Sequence, residues 1–454
     1  MAKDKVLYVL HNHPSVRPGG AEVYALELYK AMRSSDAFEP ILLARTGPPM
    51  SQSGQNHSGT VFSIVSEDTN ECLIYTEAAN FDWFYGKPRG KEIFTEHYQR
   101  FLQTYEPDVV HFQHTLYLGY DMILQTRRTL PRAGIVYTLH EYIPICHRDG
   151  QMLRTRTDEL CEESSPRRCH ECFPEFSPQA FYMRKRFIQS HLSLVDLFIA
   201  PSRFLLERYV EWGIPRAKIR FEDYGRQPAR LAASAEPRRP RNRIGFFGQL
   251  NPFKGATVLL RALKILADES PRRTVNGYSS SQPDVHTWMH GANLDLQAVN
   301  FQENFKALIE SVDHHVTFVG SYHGDEISTL MANIDWVVVP SIWWENSPLV
   351  IQEAFQHGRP VICSDIGGMA EKVTHDMNGL HFRAGDPMDL ARTLGIATST
   401  PGLWERLSAG IPAVPSMSDH MTKLAEIYKG LLRRHKVGEP DSGKPLAGLA
   451  VKSC

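Results

Sequence analysis

Residues 343–360 read W-W-E-N-S-P-L-V-I-Q-E-A-F-Q-H-G-R-P. Ser347 followed by Pro348 is a helix start signal: a hydroxyl to cap free amides, then a proline whose missing N–H costs nothing in the first turn. A helix is therefore predicted from Pro348. Glu345 then lies in the loop just before it and Glu353 about a turn and a half inside it. The exposed amides between the two carboxylates form an anion site.

Two glutamates around an anion site suit a ligand with a charged middle and hydroxyl-rich ends, which is the form of a nucleotide-sugar. Eight residues at helical rise separate them by roughly 12 Å, wider than the ~5–9.5 Å of paired glycosidase carboxylates, and this argues against glycoside hydrolysis. Taken alone, such a spacing more often means a solvated loop charge and a helix-surface residue. The flanking sequence changes the balance. I-D-W-V-V-V at 334–339 is a short β-branched run closed by Pro340, as in a buried strand, and P-V-I-C-S at 360–364 reads as the next one. Strand, loop, helix and strand make a βαβ unit with the glutamates at the carboxyl edge of the sheet, where ligands bind.

The chain has 454 residues, enough for two domains. Its 50 basic and 51 acidic side chains leave a net charge of -1, so nothing in the balance calls for nucleic acid. No stretch approaches the ~20 apolar residues that cross a bilayer. The start, M-A-K-D-K-V-L-Y-V-L-H-N-H, lacks a signal-peptide cleavage pattern and reads as a first strand. The expected location is the cytoplasm, with peripheral contact at the inner face of a membrane left open for a local basic patch.

Strand candidates at 6–10, 41–44, 109–112, 135–139 and 197–200 alternate with helical segments at 21–33, 92–104 and 178–194. A second series follows at 244–247, 285–289, 316–319, 334–339 and 361–364. Such alternation predicts α/β architecture with two Rossmann-like, doubly wound parallel sheets in tandem. The first domain is expected over 1–232 and the second over 233–415, joined by a linker rich in proline, alanine and arginine within 226–243. The polar stretch 271–283 reads as a surface insertion, 416–435 as a last amphipathic helix, and 436–454 as a disordered tail.

After the first strand of the second series comes G-F-F-G-Q-L-N-P-F-K-G. Gly248, Gln249, Lys254 and Gly255 occupy the turn before an apolar helix. Glycines let backbone approach an anion, and lysine adds a point charge with three donors. This is neither a P-loop nor a dinucleotide fingerprint, because both spacings are missing. A lone lysine in such a turn is otherwise a solvated surface charge.

Taken together these segments resemble the retaining glycosyltransferases of family 4, which have the two-domain GT-B architecture. The resemblance runs from about Val6 to Arg434 and rests on P-S-I-W-W-E-N-S-P-L-V-I-Q-E-A-F with G-R-P-V-I-C-S-D-I-G-G-M-A-E. P-G-G-A-E, P-D-V-V-H, Y-T-L-H-E, A-P-S-R-F and the lysine turn support it. It implies that Glu345 contacts the donor sugar, that Glu353 holds the ribose hydroxyls, and that the amides of Asn346, Ser347, Leu349 and Val350, around Pro348, cradle the diphosphate. Lys254 would then meet the leaving phosphates and His140 the reaction centre, with Gly19 and Gly20 opening the first-domain side of the cleft. The last helix would cross back onto the first domain. Where many members of the family carry arginine, this chain has Gln249, which hydrogen-bonds without charge.

The implied reaction moves a glycosyl group from a nucleoside diphosphate to a hydroxyl of a glycan or lipid-linked glycan, in synthesis of a cell-surface polysaccharide or glycoconjugate. Fixed amides and a lysine would stabilise charge where it develops, so no cofactor or divalent metal is required for the leaving group. A nucleotide-sugar epimerase and a non-catalytic nucleotide-sugar-binding protein are the competing readings.

His111, His114 and His140 stand at predicted strand ends, where histidine is commonly a structural hydrogen-bonder, and only His140 is taken as a site residue. His11 and His13 are weaker acceptor-side candidates. Cys146, Cys161, Cys169 and Cys172 crowd into residues 146–172, an excursion following the His140 strand. A C-x-x-C pair with two further thiols matches a structural zinc site, with reduced thiols or a redox bridge as the alternatives.

Overall fold

The computed structural model describes residues 3–16, 19–47, 62–65, 70–89, 92–229, 240–269, 274–275, 278–279 and 285–437. The strands of the first sheet are β1 (Lys5–Leu10), β2 (Glu39–Thr46), β3 (Phe62–Ile64), β4 (Glu71–Tyr75), β5 (Val109–Phe112), β6 (Gly134–Thr138), β7 (Leu197–Ala200) and β8 (Ile219–Phe221). Their spatial order is β8-β7-β6-β5-β1-β2-β4-β3. Every neighbouring pair is parallel except β3 with β4. The expectation of a wholly parallel sheet is corrected at this edge, because the connection over residues 65–70 is too short for a crossover helix.

The second sheet holds β9 (Arg243–Gln249), β10 (His286–Ala292), β11 (Val316–Gly320), β12 (Trp336–Val339), β13 (Val361–Ser364) and β14 (Gly379–Phe382), in the order β11-β10-β9-β12-β13-β14 and parallel throughout. The central strands β5, β7, β12 and β13 are buried at every position, as β-branched and aromatic runs require when helices cover both faces of a sheet. Leu7, Val9 and Val110 enter one core of the first domain, and Val6, Tyr8 and Leu10 enter the other.

The last helix, Met417–Val437, crosses back as expected. Leu424, Tyr428 and Leu431 join the core beneath β1, and Tyr428 Oη lies 2.6 Å from Nδ1 of His111. The boundary expected at 232/233 lies outside the described residues, as do most of the linker, most of the 271–283 insertion and the tail beyond Val437. Arg226, taken from composition as the start of that linker, is instead buried.

Candidate active site

β9 and β12 are hydrogen-bonded neighbours, Phe246 opposite Val338, so the loops leaving their carboxyl ends lie side by side. The β9 loop closes in the turn Pro252–Lys254, where Asn251 Oδ1 accepts from the amides of Phe253 and Lys254 at 3.0 Å each. Gly255 then takes φ +70°, and a Cβ there would sit 1.7 Å from the Pro340 carbonyl oxygen. Only glycine permits this approach. The Ile342 amide donates to the Phe253 carbonyl at 2.9 Å and seals the two loops together.

This packing brings Lys254 and Glu345 into contact. Oε1 of Glu345 accepts from Lys254 Nζ at 2.6 Å, from Ser341 Oγ at 2.7 Å and from Trp343 Nε1 at 2.9 Å. Burial pushes the Glu345 carboxyl up, but the Lys254 charge and these hydrogen bonds outweigh it and hold it below its ordinary value of 4.5. It is ionised at neutral pH. Behind it the Gly368 amide donates to the Glu345 carbonyl at 2.8 Å.

The helix start is corrected in detail. The helix runs Leu349–Gln356, Pro348 is its N-cap residue, and no side chain caps it. Ser347 Oγ donates instead to Asp223 Oδ1 at 3.1 Å, on the segment after β8 in the opposite domain. A hydroxyl turned away across the cleft leaves the helix N-terminus its attraction for an anion.

First-domain groups meet this loop directly. Asn346 Nδ2 donates to the His140 carbonyl, and a Cβ on Gly20 would lie 3.5 Å from Leu349 Cδ1. Gly19 precedes the helix Gly20–Arg33 in extended conformation. His140 follows β6, with Nδ1 2.6 Å from Tyr224 Oη and Nε2 2.9 Å from Gln113 Oε1. Burial pushes its imidazole down to about 3, so it is neutral. Beside it, burial pushes Glu141 up to about 8, and His114 Nε2 stands 3.6 Å from that carboxyl.

Other expected residues stand apart from this pair. Gln249 is exposed at the end of β9 and makes no side-chain hydrogen bond among the described residues, while a Cβ on Gly248 would meet only the Phe246 ring, at 3.9 Å. Glu353 pairs with Arg226, Oε1 to Nη2 at 2.7 Å. Burial raises the Glu353 carboxyl against the pull of Arg226. Neither Arg226 nor Asp223 stood out in the sequence, because Y-G-R-Q carries no periodicity and borders a stretch of linker composition.

Cys146, Cys161, Cys169 and Cys172 are free thiols lining one small cavity of about 20 Å³ with His147, Phe173 and Phe181. Cys169 and Cys172 lie on the helix Pro166–Cys172. Among the described residues no three His, Cys, Asp or Glu side chains stand together as a formed metal site. The excursion touches both loops of the site, since Trp344 Nε1 donates to the Cys161 carbonyl at 3.2 Å and the Arg148 guanidinium lies 5.4 Å from the Phe253 ring centre.

The family described as Glycosyltransferase Family 4 matches residues 18–221, and Glycosyl transferases group 1 matches 241–397. A D-inositol 3-phosphate glycosyltransferase of Jonesia denitrificans is 32% identical over 195 residues, 42% of each chain. An uncharacterized glycosyltransferase of Methanocaldococcus jannaschii is 30% identical over 149 residues, 33% of each chain. The match thus spans less than half the length of these curated relatives. Anabaena HepE, solved in complex with UDP and glucose, superposes with TM-score 0.63 at 17% identity over 94% of this chain and 100% of that one. Sucrose-phosphate synthase from Thermosynechococcus elongatus gives TM-score 0.64 at 14% identity, covering 94% of this chain and 99% of that one. With one family on each sheet and a shared cleft between them, the chain belongs to glycosyltransferase family 4 and has the GT-B architecture.

Proposed function

We propose that this protein is a retaining, nucleotide-sugar-dependent glycosyltransferase that moves a sugar from a nucleoside diphosphate to a hydroxyl of a glycan or lipid-linked glycan, in synthesis of a cell-surface polysaccharide or glycoconjugate. The observation that carries the reading is the Lys254–Glu345 contact beside an uncapped helix N-terminus that faces His140 across the cleft. The donor's diphosphate lies against the amides from Asn346 to Val350, with Lys254 as its cation and Gly19 and Gly20 leaving room on the opposite wall. Glu345 receives the sugar hydroxyls and Glu353 the ribose. The bond between the anomeric carbon and the phosphate oxygen breaks, the acceptor oxygen bonds to that carbon from the same face, and the acceptor proton passes to the departing phosphate. Negative charge grows on the phosphate, where fixed dipoles and one ammonium meet it without reorganising. The relatives' names and the UDP and glucose held by HepE support this donor class.

The test is release of UDP or GDP from nucleotide-sugars with and without glycan acceptors. Acceptor-dependent release with anomeric configuration kept is expected. Donor isomerisation without acceptor would make the protein an epimerase, and binding without turnover would make it a receptor.

The shared cavity also favours a structural role for the four thiols. We propose that Cys146, Cys161, Cys169 and Cys172 hold zinc, which would tie the excursion into one unit; small segments with little core of their own gain most from such a staple.

A further inference from the structure

Gln249 brings no charge to the lysine turn, and a buried arginine lies where the two domains meet. Arg226 stands where the chain leaves the first domain, clamped to the point where it returns. Its amide donates to the Pro415 carbonyl and its carbonyl accepts from the Met417 amide, both at 2.9 Å, forming a parallel bridge with Ser416. The side chain is 10% exposed. Nη2 donates to Glu353 Oε1 at 2.7 Å, Nη1 faces Glu27 Oε2 at 3.5 Å, and the buried Nε has no partner among the described residues. One guanidinium thus spans a carboxylate from the first-domain helix Gly20–Arg33 and one from the donor helix Leu349–Gln356.

A buried ion cluster is weak evidence for stability. Desolvating such charges commonly costs more than their attraction returns, and apolar replacements of buried ion pairs are often neutral or better. A fork of nitrogens suits the geometry, because it meets two carboxylates at once, as an ammonium would not. Oε2 of Glu353 has no hydrogen bond among the described residues, so Arg226 holds one oxygen of that carboxylate and leaves the other to accept.

We propose that Arg226 is a positioning residue for the donor's nucleoside: it fixes Oε1 of Glu353 so that Oε2 receives the ribose hydroxyls, and it ties that grip to the hinge between the domains. The inference rests on the nucleotide-sugar reading above. Burial alone drives Glu353 toward its neutral acid, which donates as well as accepts, and the Arg226 charge opposes that drift.

The experiment compares UDP and GDP with their 2′-deoxy forms by calorimetry on the wild type, Arg226→Met, Arg226→Lys and Glu27→Gln, with donor kinetics and melting curves alongside. The wild type is expected to prefer the better ribonucleotide over its deoxy form by about tenfold, as one hydrogen bond to a charged group provides. Arg226→Met should lose most of that preference and raise donor KM about tenfold, with kcat at saturation within about threefold of wild type, because ground-state and transition-state binding fall together. Arg226→Lys should recover part of the preference, and Glu27→Gln should keep it. A wild-type ribose preference in Arg226→Met overturns the inference, as does its equal loss in a folded Glu27→Gln. A wild type that binds neither diphosphate defeats the parent reading, and the inference falls with it.

Discussion

Lys254 Nζ lies 2.6 Å from Oε1 of Glu345, although the two residues are 91 positions apart in the chain. Their side chains are 28% and 6% exposed, so the carboxylate is buried and the ammonium stays partly open to solvent. The same ammonium neutralises a buried carboxylate and keeps part of its own surface exposed.

Lys254→Met removes that cation and leaves the carboxylate buried with two neutral donors. Transfer is expected to fall by about 100-fold or more, the scale of a lost electrostatic group in a preorganised site. Breaking one side of the pair should also cost on the order of 3 kcal/mol in urea unfolding. A folded Lys254→Met with turnover near that of the wild type would remove the lysine from the mechanism.

The Glu345 carboxyl is held below its ordinary 4.5 in the folded chain, so its contribution to stability is fully present above that value and is lost as pH falls through the folded pKa. The stability gap between wild type and Glu345→Gln should therefore narrow as pH drops below 4.5. Glu353 shifts the opposite way, but it is common to both proteins and cancels in the difference. Urea unfolding across the acid range checks this, and a gap that widens on acidification contradicts the assigned pairing.

Burial pushes His140 from 6.5 to about 3, so the folded chain resists its protonation. A depressed histidine makes stability fall as pH drops from 6.5 toward 3, and His140→Gln should flatten that slope. The His140 ring should show no NMR titration near its ordinary value, and the rate profile no limb from it there. A limb near neutrality that disappears in His140→Gln would show a charged, working imidazole instead.

Zinc analysis of protein purified without chelator is expected to find about one ion per chain, as four thiolates fill a structural site. Cys169→Ser should lose that ion together with thermal stability, because metal binding and folding of the excursion are one equilibrium. Metal-free protein with wild-type stability and activity would return the cavity to four reduced thiols, three of which burial pushes up, Cys146 to about 11, Cys169 to about 12 and Cys161 above its ordinary value.

Much of the fold was legible because local rules suffice for it. The runs at 109–112, 197–200 and 361–364 match their strands end to end, since a fully buried parallel strand is a mostly apolar run. The lysine turn and the last helix were legible as short local patterns, whereas the return of that helix to the first domain came from the family resemblance. β3 and β4 were not legible, because their alternating or polar sequence gains its ladder only from a neighbour. Ser347 misled the reading in one respect: the residue order marks a cap, but the hydroxyl found a better partner in Asp223 of the other domain.

By itself, the sequence determined the two sheets, their parallel character and the type of group at each carboxyl edge, because backbone hydrogen bonding and burial act over a few residues. Only the tertiary structure decided which groups share a charge. That Lys254 meets Glu345, that His140 is neutral, and that Arg226 belongs to Glu353 rather than to a linker all follow from desolvation and from contacts across a cleft. Electrostatic energy depends on distance and surrounding dielectric, and neither is encoded in residue order.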